Sequence, residues 1–317
     1  MCYSAQIRTE FRQFEREFGA VLSVQQYVRF FWQRRQEGTW RKVPKGIKDD
    51  FANPRNGQER ELAAIIAEGD AGEAHALEAE LFKQKTRLNS AGRALETGPT
   101  KKAENDMRVA TDKIARAQRG LDDLRRKDPL DRDSRIYPGQ YANVMVLQEG
   151  RRTLVPMRYQ CRLPGWSDAM ERKYPGTYNA RRDKLETSWA RLFGYRHGIT
   201  VVTRFYENVS RHKVEHRELA PGEKEENVVL EFDPNPPHDM LVACVWSFDE
   251  RANLYSFAAI TDAPPPEIAA AGHDRCIIPI KRGNLDPWLK PDPANLAALY
   301  AILDDRERPY YEHRLAA

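Results

Sequence analysis

Between Asn56 and Lys127 the chain holds a single Phe, Tyr or Trp residue, Phe82, in a stretch dominated by Ala, Glu, Lys, Arg and Leu. Leu62, Ile65, Ile66, Leu77, Leu81, Leu88 and Leu95 recur along one long helical pattern. Gly98-Pro99 breaks it, because proline cannot continue a helix and glycine readily caps one. The pattern resumes through Met107, Ile114, Leu121 and Leu124 and ends at Asp128-Pro129. Two long helices joined by a tight turn predict an antiparallel helical hairpin over residues 56–128. Its polar outer faces read as solvated, with a protein partner or DNA as the occupant to look for on them.

The flanking sequence is different in texture. Phe11, Phe14 and Phe18 form one face of a short helix closed by Gly19, and Val24, Tyr27, Val28 and Phe31 form another between Ser23 and Arg35. From Arg135 onward, short runs rich in Val, Ile, Tyr and Phe alternate with turn residues. They are Tyr141–Leu147, Arg152–Met157, Gly198–Phe205, Asn227–Phe232, Leu241–Trp246, Asn253–Ile260 and Cys276–Ile280, and they read as strands. Helices are expected only at Arg182–Phe193, Pro266–Ala271 and Pro293–Leu303. The fold class is therefore α+β, mostly antiparallel β, as one domain over residues 1–317 with the hairpin inserted in it.

Charge narrows the function classes. With 51 basic and 47 acidic residues the formal charge is +4, so any nucleic-acid site must be a local patch. The four cysteines, Cys2, Cys161, Cys244 and Cys276, are widely spaced, and only His273 lies near one of them in sequence. Neither a disulfide framework nor a metal site is expected, and no cofactor. No run approaches the ~18 apolar residues of a membrane span and the N-terminus has no signal-like apolar core, so a cytoplasmic protein is expected. Motifs for nucleotide binding, zincins and serine hydrolases are absent.

Chemistry concentrates elsewhere. If Met1 is removed, Cys2 becomes an N-terminal cysteine whose amine and thiol titrate near ~7.7–8 and ~8.5. Such an aminothiol condenses with an aldehyde to a Schiff base and closes a thiazolidine ring. Otherwise Cys2 is an ordinary small residue. Four polar segments stand in the β region: Leu163-Pro164-Gly165-Trp166, Tyr178-Asn179-Ala180-Arg181, Arg204-Phe205-Tyr206-Glu207-Asn208 and Gly272-His273-Asp274-Arg275. Asn179 suits a turn, Glu207 a solvated strand end and His273 a structural imidazole. In a pocket, Glu207 and His273 would instead be proton-transfer groups.

Met1-Cys2, Tyr137-Pro138-Gly139, Pro164-Gly165-Trp166, Asn179-Ala180-Arg181 with Glu186-Thr187, Phe205-Tyr206-Glu207 and His273-Asp274-Arg275, in this order, resemble the SRAP family. This is the SOS response-associated peptidase, or abasic-site-processing, family. The resemblance covers residues 1 to about 50 and about 133 to 305. It departs in three places: Tyr3-Ser4 stands where the family has Gly-Arg, Tyr159-Gln160 where it often has Trp-Gly, and residues 56–128 have no counterpart.

The resemblance implies an SRAP-like fold, with antiparallel sheets forming an open barrel-like core and peripheral helices. It implies a covalent thiazolidine crosslink between Cys2 and the aldehyde of an abasic site in single-stranded DNA, with lyase and self-processing peptidase activities as further expectations. Asn179 would position the N-terminal cysteine, and Glu207 and His273 would move protons. Arg181 and Arg275 would hold phosphates, and Trp166 with Pro138 would wedge or stack at the lesion. A monomer, associated with the nucleoid when acting on DNA, is the expected form. The alternative is an N-terminal-nucleophile cysteine amidohydrolase, with the thiol attacking an acyl carbon and the amine as base. A third reading is a scaffold whose hairpin binds a partner.

Overall fold

The structure, a computed structural model, describes residues 4–316; Cys2 lies outside them. The chain divides into two units. One comprises the chain up to Tyr27, Lys42–Ala52 and everything from Asp131 onward; the other comprises Val28–Arg41 and Asn53–Leu130.

The first unit is built on strands β1 (Ser4–Ile7), β2 (Val21–Leu22), β3 (Arg135–Ile136), β4 (Tyr141–Gln148), β5 (Arg151–Tyr159), β6 (Asn179–Arg181) and β7 (His197–Ser210). They continue with β8 (Asn227–Asn235), β9 (Met240–Asp249), β10 (Leu254–Asp262), β11 (Cys276–Ile277) and β12 (Tyr310–Leu315). The pairings run β5–β4–β7–β9–β10 and return to β5 through a two-residue parallel contact, so the sheet is partly ring-like. Most pairs are antiparallel. The parallel ones are β2–β5, β5–β10 and β6–β10. Side chains such as Val144, Leu154, Val155, Ile199, Val242, Phe257 and Ile260 fill the interior, each with almost no surface left in water.

Around the sheet lie short helices. Phe11–Phe18 turns Phe11, Phe14 and Phe18 into the core, and Gly19 ends it at φ 61°, a conformation in which a side chain would be strained. Leu285–Leu289 presents Trp288, whose indole N–H donates to Gly198 O (3.0 Å). Leu296–Asp304 covers the expected C-terminal helix. Two expectations need correction. Residues 182–193 do not form an α-helix: after a 3-10 turn at Arg182–Lys184 the backbone follows successive turns, with Thr187 and Leu192 donating three residues back. Leu185, Trp189, Leu192 and Phe193 are buried at helical spacing, but the backbone donors reach three, four or five residues back by turns, so no continuous i to i−4 ladder forms. The strand expected at Cys276–Ile280 pairs as a strand only at Cys276–Ile277, because Pro279 has no N–H to donate.

The second unit contains two long helices, Gly57–Thr97 (41 residues) and Lys101–Arg125 (25 residues), linked by Gly98-Pro99-Thr100. Both starts are capped. Asn56 Oδ1 accepts from Glu59 N (2.8 Å) while Glu59 Oε2 accepts from Arg55 N (2.8 Å), and Thr100 Oγ1 accepts from Ala103 N (3.2 Å). The helices run antiparallel, as the cross-helix pairs Arg87–Asp106 (2.5 Å), Lys113–Glu80 (3.5 Å) and Arg125–Glu78 (2.9 Å) require. Leu77, Ala117 and Leu121 form their seam, with Ala74, Leu81 and Leu124 against it. Trp40 belongs to this unit. Its indole donates to Asp70 Oδ1 (2.8 Å), and its ring lies so close to Gly69 that an added Cβ would sit 2.4 Å from it. Among the described residues, no helix is long and apolar enough to cross a membrane.

Candidate active site

Glu207 sits on β7, where alternation turns it to the same side as Phe205, and its side chain is fully buried. His273 follows Gly272, whose φ of 91° turns the chain ahead of β11. His273 Nε2 lies 3.3 Å from Glu207 Oε2, and His273 Nδ1 lies 2.9 Å from Arg275 O. A carbonyl only accepts, so Nδ1 carries a hydrogen and donates it. In a neutral ring, Nε2 then turns a lone pair toward the carboxylate. A proton placed between Nε2 and Oε2 would turn this contact into a hydrogen bond. Burial lowers the His273 pKa, favouring the neutral ring. The pair is thus buried, with its imidazole oriented by the backbone of its own loop, and groups of this type so placed can pass a proton between them.

Asn179 opens β6, which runs parallel to β10 from Ala259 to Thr261; on β10 Thr261 pairs with Ile277 of β11. Asn179 is 6% exposed, and Tyr159 Oη lies 3.4 Å from its Oδ1. Its Nδ2 is buried and has no hydrogen-bond partner among the described residues. An orphaned buried donor costs about 1–3 kcal/mol, so it marks a place where an acceptor belongs. Pro138-Gly139 forms a tight turn: Gly139 is at φ 91°, Gln140 N donates to Tyr137 O (2.9 Å) and Gly139 N to Tyr159 O (2.6 Å). Tyr159 therefore binds the Pro138 turn through its backbone and Asn179 through its side chain. Sequence reading assigned Tyr159 no role. Its burial and phenol become informative only once β5 and β6 are known to converge.

Trp166 lies on a turn closed by its N–H to Leu163 O (3.0 Å), with Gly165 at φ 86°. Its ring packs against the exposed Tyr174, 5.6 Å between centroids. Behind this turn lies a buried ionic network. Arg162 reaches Glu171 (2.8 Å), Asp249 (2.9 Å) and Asp168 (2.5 Å), and Arg158 also pairs with Glu171. Asp168 is exposed and Arg158 partly so, but Arg162 and Glu171 are buried, and breaking their pair from one side costs roughly 3–5 kcal/mol, so this pair fixes the chain from Arg162 to Glu171.

Arg181 and Arg275 stand in local pairs. Arg181 grips Asp183 at 2.8 and 3.0 Å, and Arg275 grips Asp274 at 3.2 and 2.9 Å. Each guanidinium would have to exchange a carboxylate for a phosphate in order to bind DNA. Arg275 holds Asp274 down to a pKa of about 2. Cys161, Cys244 and Cys276 are buried free thiols, and burial pushes the Cys161 thiol up to about 12. None of the three is set up as a nucleophile. Among the described residues no His, Cys, Asp and Glu cluster is suited to a metal ion.

One comparison with known proteins gives a family. The model of the SOS response-associated peptidase (SRAP) family matches residues 94–314, a stretch that begins inside the first hairpin helix and includes Asn179, Glu207 and His273. A comparison with curated proteins finds no match. Among solved structures, a protein from Bordetella bronchiseptica is 15% identical, covering 61% of this chain and 89% of that one at a TM-score of 0.45. A phage-related protein from the same organism is 17% identical, with 61% and 85% covered and a TM-score of 0.44. A Bacteroides thetaiotaomicron protein is 12% identical, with 58% and 78% covered and a TM-score of 0.43.

Proposed function

This chain belongs to the SOS response-associated peptidase family, and from that premise we propose that it captures abasic sites in single-stranded DNA through Cys2 after Met1 is removed. The observation that carries the proposal is the buried Glu207–His273 contact at 3.3 Å. Thiazolidine formation is a sequence of proton movements. The α-amine of Cys2 adds to the aldehyde of the ring-opened sugar, and the resulting hydroxyl leaves as water once protonated. The thiol then adds to the Schiff base, giving its proton up as the ring closes. A carboxyl and an imidazole sharing one proton can supply that proton and take it back. Supporting the reading, Nδ2 of Asn179, without a partner among the described residues, offers a hydrogen bond to an acceptor, as expected of a residue that positions the cysteine.

Arg181 and Arg275 serve as phosphate ligands by exchanging their aspartates, and Trp166 and Pro138 wedge or stack at the lesion. The helical unit is an insertion that the chemistry does not need. A denaturing gel of the purified protein with single-stranded DNA bearing one abasic site tests the reading. A shifted band that disappears in Cys2→Ala is expected, and equal crosslinking by that variant overturns it.

A further inference from the structure

The distal half of the helical hairpin segregates charge. The Lys113–Glu80 pair marks a level across the two helices. Beyond it, residues 82–113 hold eight Lys and Arg against four Asp and Glu. On the near side, residues 57–81 and 114–125 hold four against nine. A merely solvated hairpin would intersperse both signs along its length.

Within the distal half, Arg87 is engaged by Asp106 (2.5 Å) and Arg108 by Asp112 (3.6 Å). Lys83, Lys85, Arg93, Lys101 and Lys102 are exposed and make no ion pair among the described residues. The helical period places Phe82, Lys85, Thr86, Asn89 and Arg93 on one face with Lys83 at its edge, opposite the side that buries Gln84 and Ala91. Phe82 is 77% exposed. One exposed ring means little by itself. Set among cations and hydrogen-bonding side chains, it matches the chemistry of a single-stranded nucleic acid. Ammonium and guanidinium groups meet phosphates, amide and hydroxyl groups meet phosphate or sugar oxygens, and a flat apolar ring meets an unstacked base.

We infer that this face, from Phe82 to Arg93, is a sequence-independent binding surface for single-stranded DNA. It rests on the proposed partner, DNA, and not on the covalent chemistry of Cys2. Lys83, Lys85 and Arg93 neutralise phosphates and Phe82 stacks on a base.

The test uses the full chain and an undamaged single-stranded oligonucleotide, with affinity followed by fluorescence anisotropy across a salt series. Each single-strand phosphate contact contributes about 0.7 to the slope of log K against log salt. The variant Lys83→Gln/Lys85→Gln/Arg93→Gln is expected to flatten that slope by about 2, and Phe82→Ala to weaken binding roughly tenfold without changing the slope. Far-UV circular dichroism verifies that the exposed substitutions leave the helices intact. A slope and affinity equal to wild type in the triple variant overturn the inference and assign the face to a protein partner instead. Crosslinking to abasic DNA at saturating concentration, measured on the same proteins, separates the two proposals. If wild type fails to crosslink, the Cys2 mechanism falls; if it crosslinks and the triple variant keeps its slope, only this surface falls.

Discussion

Replacing His197 with Gln should remove a specific part of the acid sensitivity of this fold. His197 opens β7, is 2% exposed, and lies between Phe193 and Trp288, 4.0 Å from the centroid of the indole. Gly194 N–H donates to its Nε2 (2.9 Å), so Nε2 is an acceptor and the ring hydrogen sits on Nδ1, which has no partner among the described residues. Protonating Nε2 would break that bond and place an unpaired charge in the core. Burial accordingly holds the His197 pKa down at about 3.

The unfolded chain takes up this proton near pH ~6.5 and the folded one does not. Stability from this group is therefore complete above about pH 6.5 and is lost as pH falls toward 3. At about 1.4 kcal/mol per pH unit, the loss between pH 6.5 and 5 is about 2 kcal/mol. Chemical denaturation of wild type and His197→Gln across that range measures it. Gln is less stable at pH 7.5 because it loses the ring stacking, but its stability should fall by about 2 kcal/mol less than wild type on going to pH 5. Parallel curves for the two proteins would refute the reasoning, since His273 and the surface carboxylates titrate in both.

Glu207→Gln removes the carboxylate of the buried Glu207–His273 pair at nearly constant volume, and is expected to slow crosslinking about 100-fold or more in a single-turnover gel assay; an unchanged rate would mean that Glu207 only packs. Gly69→Ala gains helix propensity but drives its Cβ to 2.4 Å from the Trp40 ring, so overpacking wins and thermal melts should show a loss of about 1–2 kcal/mol. Gly72→Ala in the same helix has open space at its Cβ and should gain up to about 1 kcal/mol in the same melts. Removing residues 57–127 with a short linker should leave crosslinking largely intact; loss of it in a folded deletion variant would mean that the helical unit takes part in the chemistry.

Much of this architecture is legible in the residues. A stretch without Tyr or Trp, broken once by Gly98-Pro99, has few solutions besides two helices folded on each other. The long strands announce themselves by β-branched and aromatic runs. What escapes is decided by partners distant in sequence. Tyr310–Leu315 carries no strand expectation from its residues, yet it forms β12 by pairing residue for residue with β8. Residues 182–193 look helical, and Leu185, Trp189, Leu192 and Phe193 are buried at that spacing, but the backbone bonds by successive turns of differing length and no continuous helix forms. At the candidate site, the types Asn, Glu and His point to proton transfer. No spacing rule brings Glu207 to His273, because sheet topology alone closes that gap. The pairing of Arg275 with Asp274 and of Arg181 with Asp183 is local and readable, and it shows that a basic residue in a motif is not by itself a free cation.

The central claim is that Cys2 acts as a new N-terminus, and the intact mass of the protein–DNA adduct tests it most directly. The expected mass is that of the chain without Met1 plus the abasic oligonucleotide, less one water, with peptide mapping placing the attachment on Cys2. An adduct that retains Met1, or one attached to a lysine, would contradict it.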